Sequence, residues 1–185
     1  MNIQISKILS DYVSKKLTSD EFEEWVYSCQ ELESELGEEL YTELISLDFR
    51  DKSNRIEVEK IVENKIDYSE LHKNELTQLI RKVCSKELPF KESIRLLYNW
   101  MDSGYLFLSK IDTLGNFNEQ GKSIIHSIEN TMTNEQMWKI LIDIEPNFFN
   151  ELERIKTKIE DGNILITGEF EHSEYYGKQF KYIEK

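Results

Sequence analysis

The chain has 185 residues, 39% hydrophobic and 32% charged, with seven Gly, two Pro, two Cys and a formal net charge of -13. Nine Phe, nine Tyr and three Trp supply bulk for a packed core, which excludes wholesale disorder, and so few Gly and Pro favour a mostly helical protein. The surplus of carboxylates excludes nucleic acid as a natural partner, because that binding rests on Lys and Arg neutralising phosphates, and it disfavours an anionic membrane surface on the same ground.

Taken in order, Ile5, Ile8, Leu9, Tyr12 and Val13 fall on one stripe and predict a helix from Ile3 to Lys16. Its end is marked by Lys15 and Lys16, where a helix C-terminus welcomes cations. The opening residues show no basic leader followed by an apolar run, and no segment approaches a membrane span, so the expected compartment is the cytoplasm. Thr18 with Glu21 three residues on makes a capping box, and Leu17 with Phe22 has the spacing of a hydrophobic staple, which predicts a helix from Ser19 to Cys29. Leu32, Leu36, Leu40 and Leu44 continue an apolar stripe that Gly37 interrupts, so a short turn is expected before a helix from Glu38 to Leu47. From Ser19 to Ile45 there are ten acidic residues and no Lys or Arg. Asn54 with Glu57 offers another capping box, for a helix reaching Ile66.

Around Asp67 to Lys73 the pattern turns polar and Ser69 offers a cap. This places a boundary between an acidic N-terminal helical unit, 1–66, and a second helical unit, 67–185, that ends in a β-hairpin. The first 66 residues hold sixteen acids and eight bases, the remainder twenty acids and fifteen bases, so the acidity leans towards the N-terminus. Leu76, Leu79, Ile80, Val83 and Cys84 make a stripe that Pro89 stops, and Phe90, Ile94, Leu97, Tyr98 and Met101 make the next, with Pro89 in its first turn and Gly104 beyond its end. The run YLFLSKIDTLGNF is apolar without clear period and reads as a buried connection or one short strand. Ile124, Ile125, Ile128 and Met132 predict another helix. Thr133 with Gln136 forms a capping box, with Met132 and Met137 as staple, for one that ends ahead of Pro146; Phe148, Leu152, Ile155 and Ile159 carry the last. ILITGEF and QFKYIEK alternate and are rich in strand formers, so a hairpin is expected, leaning on the helices or joined by a third strand from Tyr105 to Leu108. The expected architecture is a mostly α bundle of about eight helices with a small C-terminal β-hairpin.

Catalytic chemistry finds little foothold. Nucleophilic catalysis needs a Ser or Cys beside a His and an orienting acid, and three His are a thin supply. His126 beside Glu129, and His72 in a helix's first turn, read as structural. Glu169 and His172 have the spacing of a carboxylate–histidine metal pair on a helix, but they sit at a predicted strand end, and no second pair exists. Gly121-Lys122-Ser123 lacks the preceding glycine of a phosphate loop. No catalytic residue, metal or cofactor is therefore expected. Cys29 and Cys84 fall at helical apolar positions far apart and read as reduced core thiols. The three Trp read as core anchors, an exposed one marking an interface instead, and the acidic run has its own plain reading as a solvated helix face.

The segment ILSDYVSKKLTSDEFEEWVYSCQELESELGEELYTELISLDFRDK resembles the N-terminal helical region of immunity proteins from bacterial polymorphic-toxin systems, in the style of the colicin D immunity type. The matching positions are Glu21 to Trp25, an acidic helix, and Leu36 to Asp48, the helix after it; the likeness covers the first third of the chain. It implies a non-enzymatic antidote that binds one cognate toxin domain. The acidity agrees with that role, since a nuclease cleft built to hold phosphates is basic and carboxylates supply the opposite potential. The expected partner surface is Asp20, Glu23, Glu24, Glu31, Glu35, Glu38 and Glu39, with Trp25 or Tyr27 near its centre. An acidic regulatory or adaptor protein acting through protein–protein contacts is the alternative, and the oligomeric state stays open.

Overall fold

The computed structural model describes residues 1–51, 53–111, 132–174 and 177–185. Among these the chain is mostly helical and ends in a two-stranded antiparallel hairpin, as the periodicities predict. Its elements are α1 (Ile3–Val13), α2 (Ser19–Ser28), α3 (Leu32–Leu36), α4 (Glu38–Ile45), α5 (Asn54–Val62), α6 (Tyr68–Cys84), α7 (Phe90–Asp102), a 3-10 helix (Leu106–Lys110), α8 (Asn134–Ile144), α9 (Phe148–Glu160), β1 (Ile164–Ser173) and β2 (Gly177–Glu184). The helix predicted around Ile124 to Ile128, His126 with Glu129, and Gly121-Lys122-Ser123 lie outside the described residues. Two compact units divide the chain, Met1–Leu71 and His72–Lys185, the division falling inside the sequence of α6.

The N-terminal unit is built around three aromatic rings. Tyr12 of α1 stacks on Phe22 of α2 with centroids 3.8 Å apart, and Phe49 meets both edge-on, all three fully buried. Leu9, Val26, Leu32, Leu36, Leu44, Val58 and Val62 close the core around them. The capping box at Thr18 forms as predicted, with both of its hydrogen bonds present. Gly37, at φ 88°, separates α3 from α4, so the expected turn is a short helix of its own. Arg55 ties the unit together. Its guanidinium lies 4.1 Å above the Tyr12 ring and donates to the Tyr12 carbonyl, in the last turn of α1, and to the Leu17 carbonyl in the segment that follows.

Two caps differ from expectation. At α5, Asn54 is already helical and Ser53 precedes it without a side-chain cap bond; Asn54 Nδ2 instead donates to the Asp48 carbonyl at 3.0 Å. At α6, the cap is Asp67 and not Ser69: its carboxylate accepts from the Ser69 hydroxyl and from the Ser69 and Glu70 amides. A carboxylate is the stronger acceptor, and the Ser69 hydroxyl becomes its donor. Those bonds, the Ser69 hydroxyl foremost, hold the Asp67 carboxyl below its ordinary range.

The C-terminal unit packs α6, α7, α8, α9 and the hairpin around one core that includes Ile80, Leu97, Tyr105, Phe107, Trp138, Phe148, Leu152 and Ile164. Thr133 caps α8 through the predicted box with Gln136. Pro89 is the N-cap of α7 and not a first-turn residue. The hairpin pairs Ile164 with Glu184 and Ser173 with Gly177, and shifts register between Ile166 and Phe170. It does lean on helices: Ile164 and Ile166 are buried, and Phe180 and Tyr182 pack beside them. The third strand expected from Tyr105 to Leu108 does not form. Leu106–Lys110 is a 3-10 helix, and among the described residues the sheet has two strands. That segment's apolar side chains are buried at uneven spacing, with Tyr105, Phe107 and Leu108 inward and Leu106 outward, a pattern a strand's strict alternation cannot satisfy.

Candidate partner-binding surface

The acidic stretch folds as α2, α3 and α4. Phe22 and Val26 of α2, Leu32 and Leu36 of α3 and Leu44 of α4 turn into the core, and this fixes the direction of the carboxylates. Asp20, Glu24, Glu31, Glu38 and Glu39 are exposed, while Glu23 and Glu35 are half-buried. Glu23 lies 3.9 Å from the Arg50 guanidinium, and Glu35 accepts from the Asn2 amide at 3.1 Å. Asp20, Glu23, Glu24 and Tyr27 occupy i, i+3, i+4 and i+7 along α2 and so share one helix face.

The two candidate aromatic anchors part company. Tyr27 is 61% exposed, whereas Trp25 is half-buried with its ring 5.7 Å from that of Phe22. Trp25 belongs to the margin of the core. Tyr27 is the exposed aromatic residue of α2.

Six of the ten acids lie in the first turn of a helix, and for four of them this gives a local role that composition does not reveal. Asp20 and Glu21 lie in the first turn of α2, Glu33 and Glu35 in that of α3, and Glu38 and Glu39 in that of α4. In α2 and α4 the carboxylates there complement the positive end of the helix dipole, whereas α3, with five residues, has no first turn distinct from its last. Glu21 also closes the capping box, and the Thr18 hydroxyl and amide hold its carboxyl below the ordinary range. Glu23, Glu24, Glu31 and Glu43 lie outside those first turns. Among the described residues, no ion pair or hydrogen bond engages the side chains of Glu24, Glu31 and Glu43.

The residues weighed for catalysis are dispersed. His72 is buried in the C-terminal unit with Nδ1 2.7 Å from the Tyr105 hydroxyl, and the rings of Trp100 and Phe180 stand nearly perpendicular to it at 4.9 and 4.3 Å. Burial pushes the Tyr105 hydroxyl well above the usual phenol range, so it stays a neutral hydrogen-bonding group. His172 is exposed on β1, its ring 5.5 Å from Phe170. Cys29 and Cys84 are both free and half-buried. The Cys84 thiol is pushed up to about 12, by burial first and then by its hydrogen bond to Glu153, which keeps it protonated and unreactive. Among the described residues, no group of three or more His, Cys, Asp or Glu is placed to hold a metal ion, and no helix is long and apolar enough to cross a membrane. The interactions of His72 and Tyr105, 33 positions apart, have no signature in spacing; only burial of both residues brings them together.

Set against protein-family models, characterised proteins and solved structures, the chain matches none.

Proposed function

We propose that this chain is a non-enzymatic immunity protein that binds and neutralises a cognate bacterial toxin domain, a nuclease by the charge argument, in the cytoplasm. The observation that carries the reading is the outer face of α2. Tyr27 protrudes there among Asp20, Glu23 and Glu24, within a stretch from Ser19 to Ile45 that has ten acids and no basic residue. An exposed aromatic side chain among carboxylates, even with the Arg50 guanidinium beside Glu23, is the composition of a binding patch: the ring supplies contact area at low entropic cost, and the carboxylates steer a basic partner. The resemblance of the first third of the chain to immunity proteins supports the same role.

The test is to find whether a polymorphic toxin is encoded beside this chain and, with its toxic C-terminal domain, to co-express the two. Restored growth together with a stoichiometric complex is the expected result. Unrestored growth with no complex, or a genome neighbourhood that encodes no toxin, overturns the reading.

A further inference from the structure

We draw no further inference here: the strongest candidate, the outer face of the C-terminal hairpin around the exposed cross-strand pair Leu165 and Ile183, is an unpartnered apolar face, and nothing in the structure shows what covers it.

Discussion

Trp25 and Tyr27 stand two positions apart on α2, and helix geometry gives them different surroundings. With its ring near Phe22, Trp25 contributes to the margin of the core; Tyr27 has no such support. Tyr27→Ala should therefore change folding stability by no more than about 0.5 kcal/mol. Its effect should appear in binding, as a dissociation rate raised about thirtyfold, or about 2 kcal/mol, if the ring is a central anchor of the complex. Surface plasmon resonance with the cognate toxin domain measures this. An unchanged dissociation rate would remove Tyr27 from the interface. Arg55 presents the opposite case, a charged residue whose work is internal. Its planar fork reaches two carbonyls while stacking on Tyr12, a geometry that a lysine ammonium cannot reproduce. Arg55→Lys should cost about 2 kcal/mol in urea unfolding. A midpoint equal to that of the parent chain would show that the fork is dispensable.

Among the elements, helix ends hold most of what sequence patterns alone do not convey. α1 closes with the Lys16 amide donating to the Asp11 carbonyl and the Lys15 amide to the Tyr12 carbonyl, with Lys15 at φ 63°. This is a Schellman motif whose left-handed position usually belongs to glycine. α6 repeats it with Lys86 at φ 57°, Glu87 donating to Lys82 and Lys86 to Val83. A side chain is strained in that conformation, so Lys15→Gly should stabilise the N-terminal unit by about 0.5–1 kcal/mol, despite glycine's greater freedom when unfolded. A lowered denaturation midpoint would contradict the assignment. Gly104 is the converse. It lies at φ 113°, and a Cβ there would approach the Phe180 carbonyl oxygen to 2.4 Å and its amide nitrogen to 2.8 Å, where Phe180 donates to the Ser103 carbonyl. Gly104→Ala should cost about 3 kcal/mol, through backbone strain and overpacking together, and should speed amide exchange along β2. Unaltered exchange at Phe180 would show that the backbone gives way without loss.

The far end of the hairpin is held by charge. Glu184 accepts from Lys110 at 2.5 and 2.7 Å and from Lys158 at 2.9 Å, and those bonds bring its carboxyl down to about 2. A carboxyl lowered on folding stabilises above its unfolded value of about 4.3, and that contribution disappears as pH falls through the folded one. The end of β2 should therefore loosen between about pH 4.3 and 2, and Glu184→Gln should flatten that dependence. Amide exchange near Ile183 and Lys185, followed by NMR across this range, reports it. Equal pH profiles for parent and variant would show that the two lysines do not anchor the strand.

At the scale of the whole molecule, charge is distributed unevenly. Residues 1–71 hold eighteen acids and eight bases, net -10, against eighteen acids and fifteen bases, net -3, in residues 72–185. A field so placed should act on the rate of encounter. Because first-turn carboxylates also stabilise their own helices, the informative variant combines Glu24→Lys, Glu31→Lys and Glu43→Lys, whose side chains engage none of the described residues. It should stay folded by circular dichroism, associate with the toxin domain about tenfold more slowly at low salt, and lose much of the salt dependence of association. Unchanged rates and salt response would leave the acidic stretch as a solvated face.

The sequence by itself determined the mostly helical class, the hairpin, and the capping boxes at Thr18 and Thr133, because apolar periodicity and local hydrogen-bond chemistry depend on residues only a few positions apart. It also set the charge and pointed to an exposed aromatic residue somewhere on the acidic stretch. Only the tertiary structure decided that Tyr27 and not Trp25 is that residue, and that Leu106–Lys110 packs as a 3-10 helix. It alone joined Arg55 to Tyr12, His72 to Tyr105 and Lys110 to Glu184. The reason is range: each of these turns on which of several competing neighbours reaches a side chain first, and that is settled by packing between elements far apart in sequence.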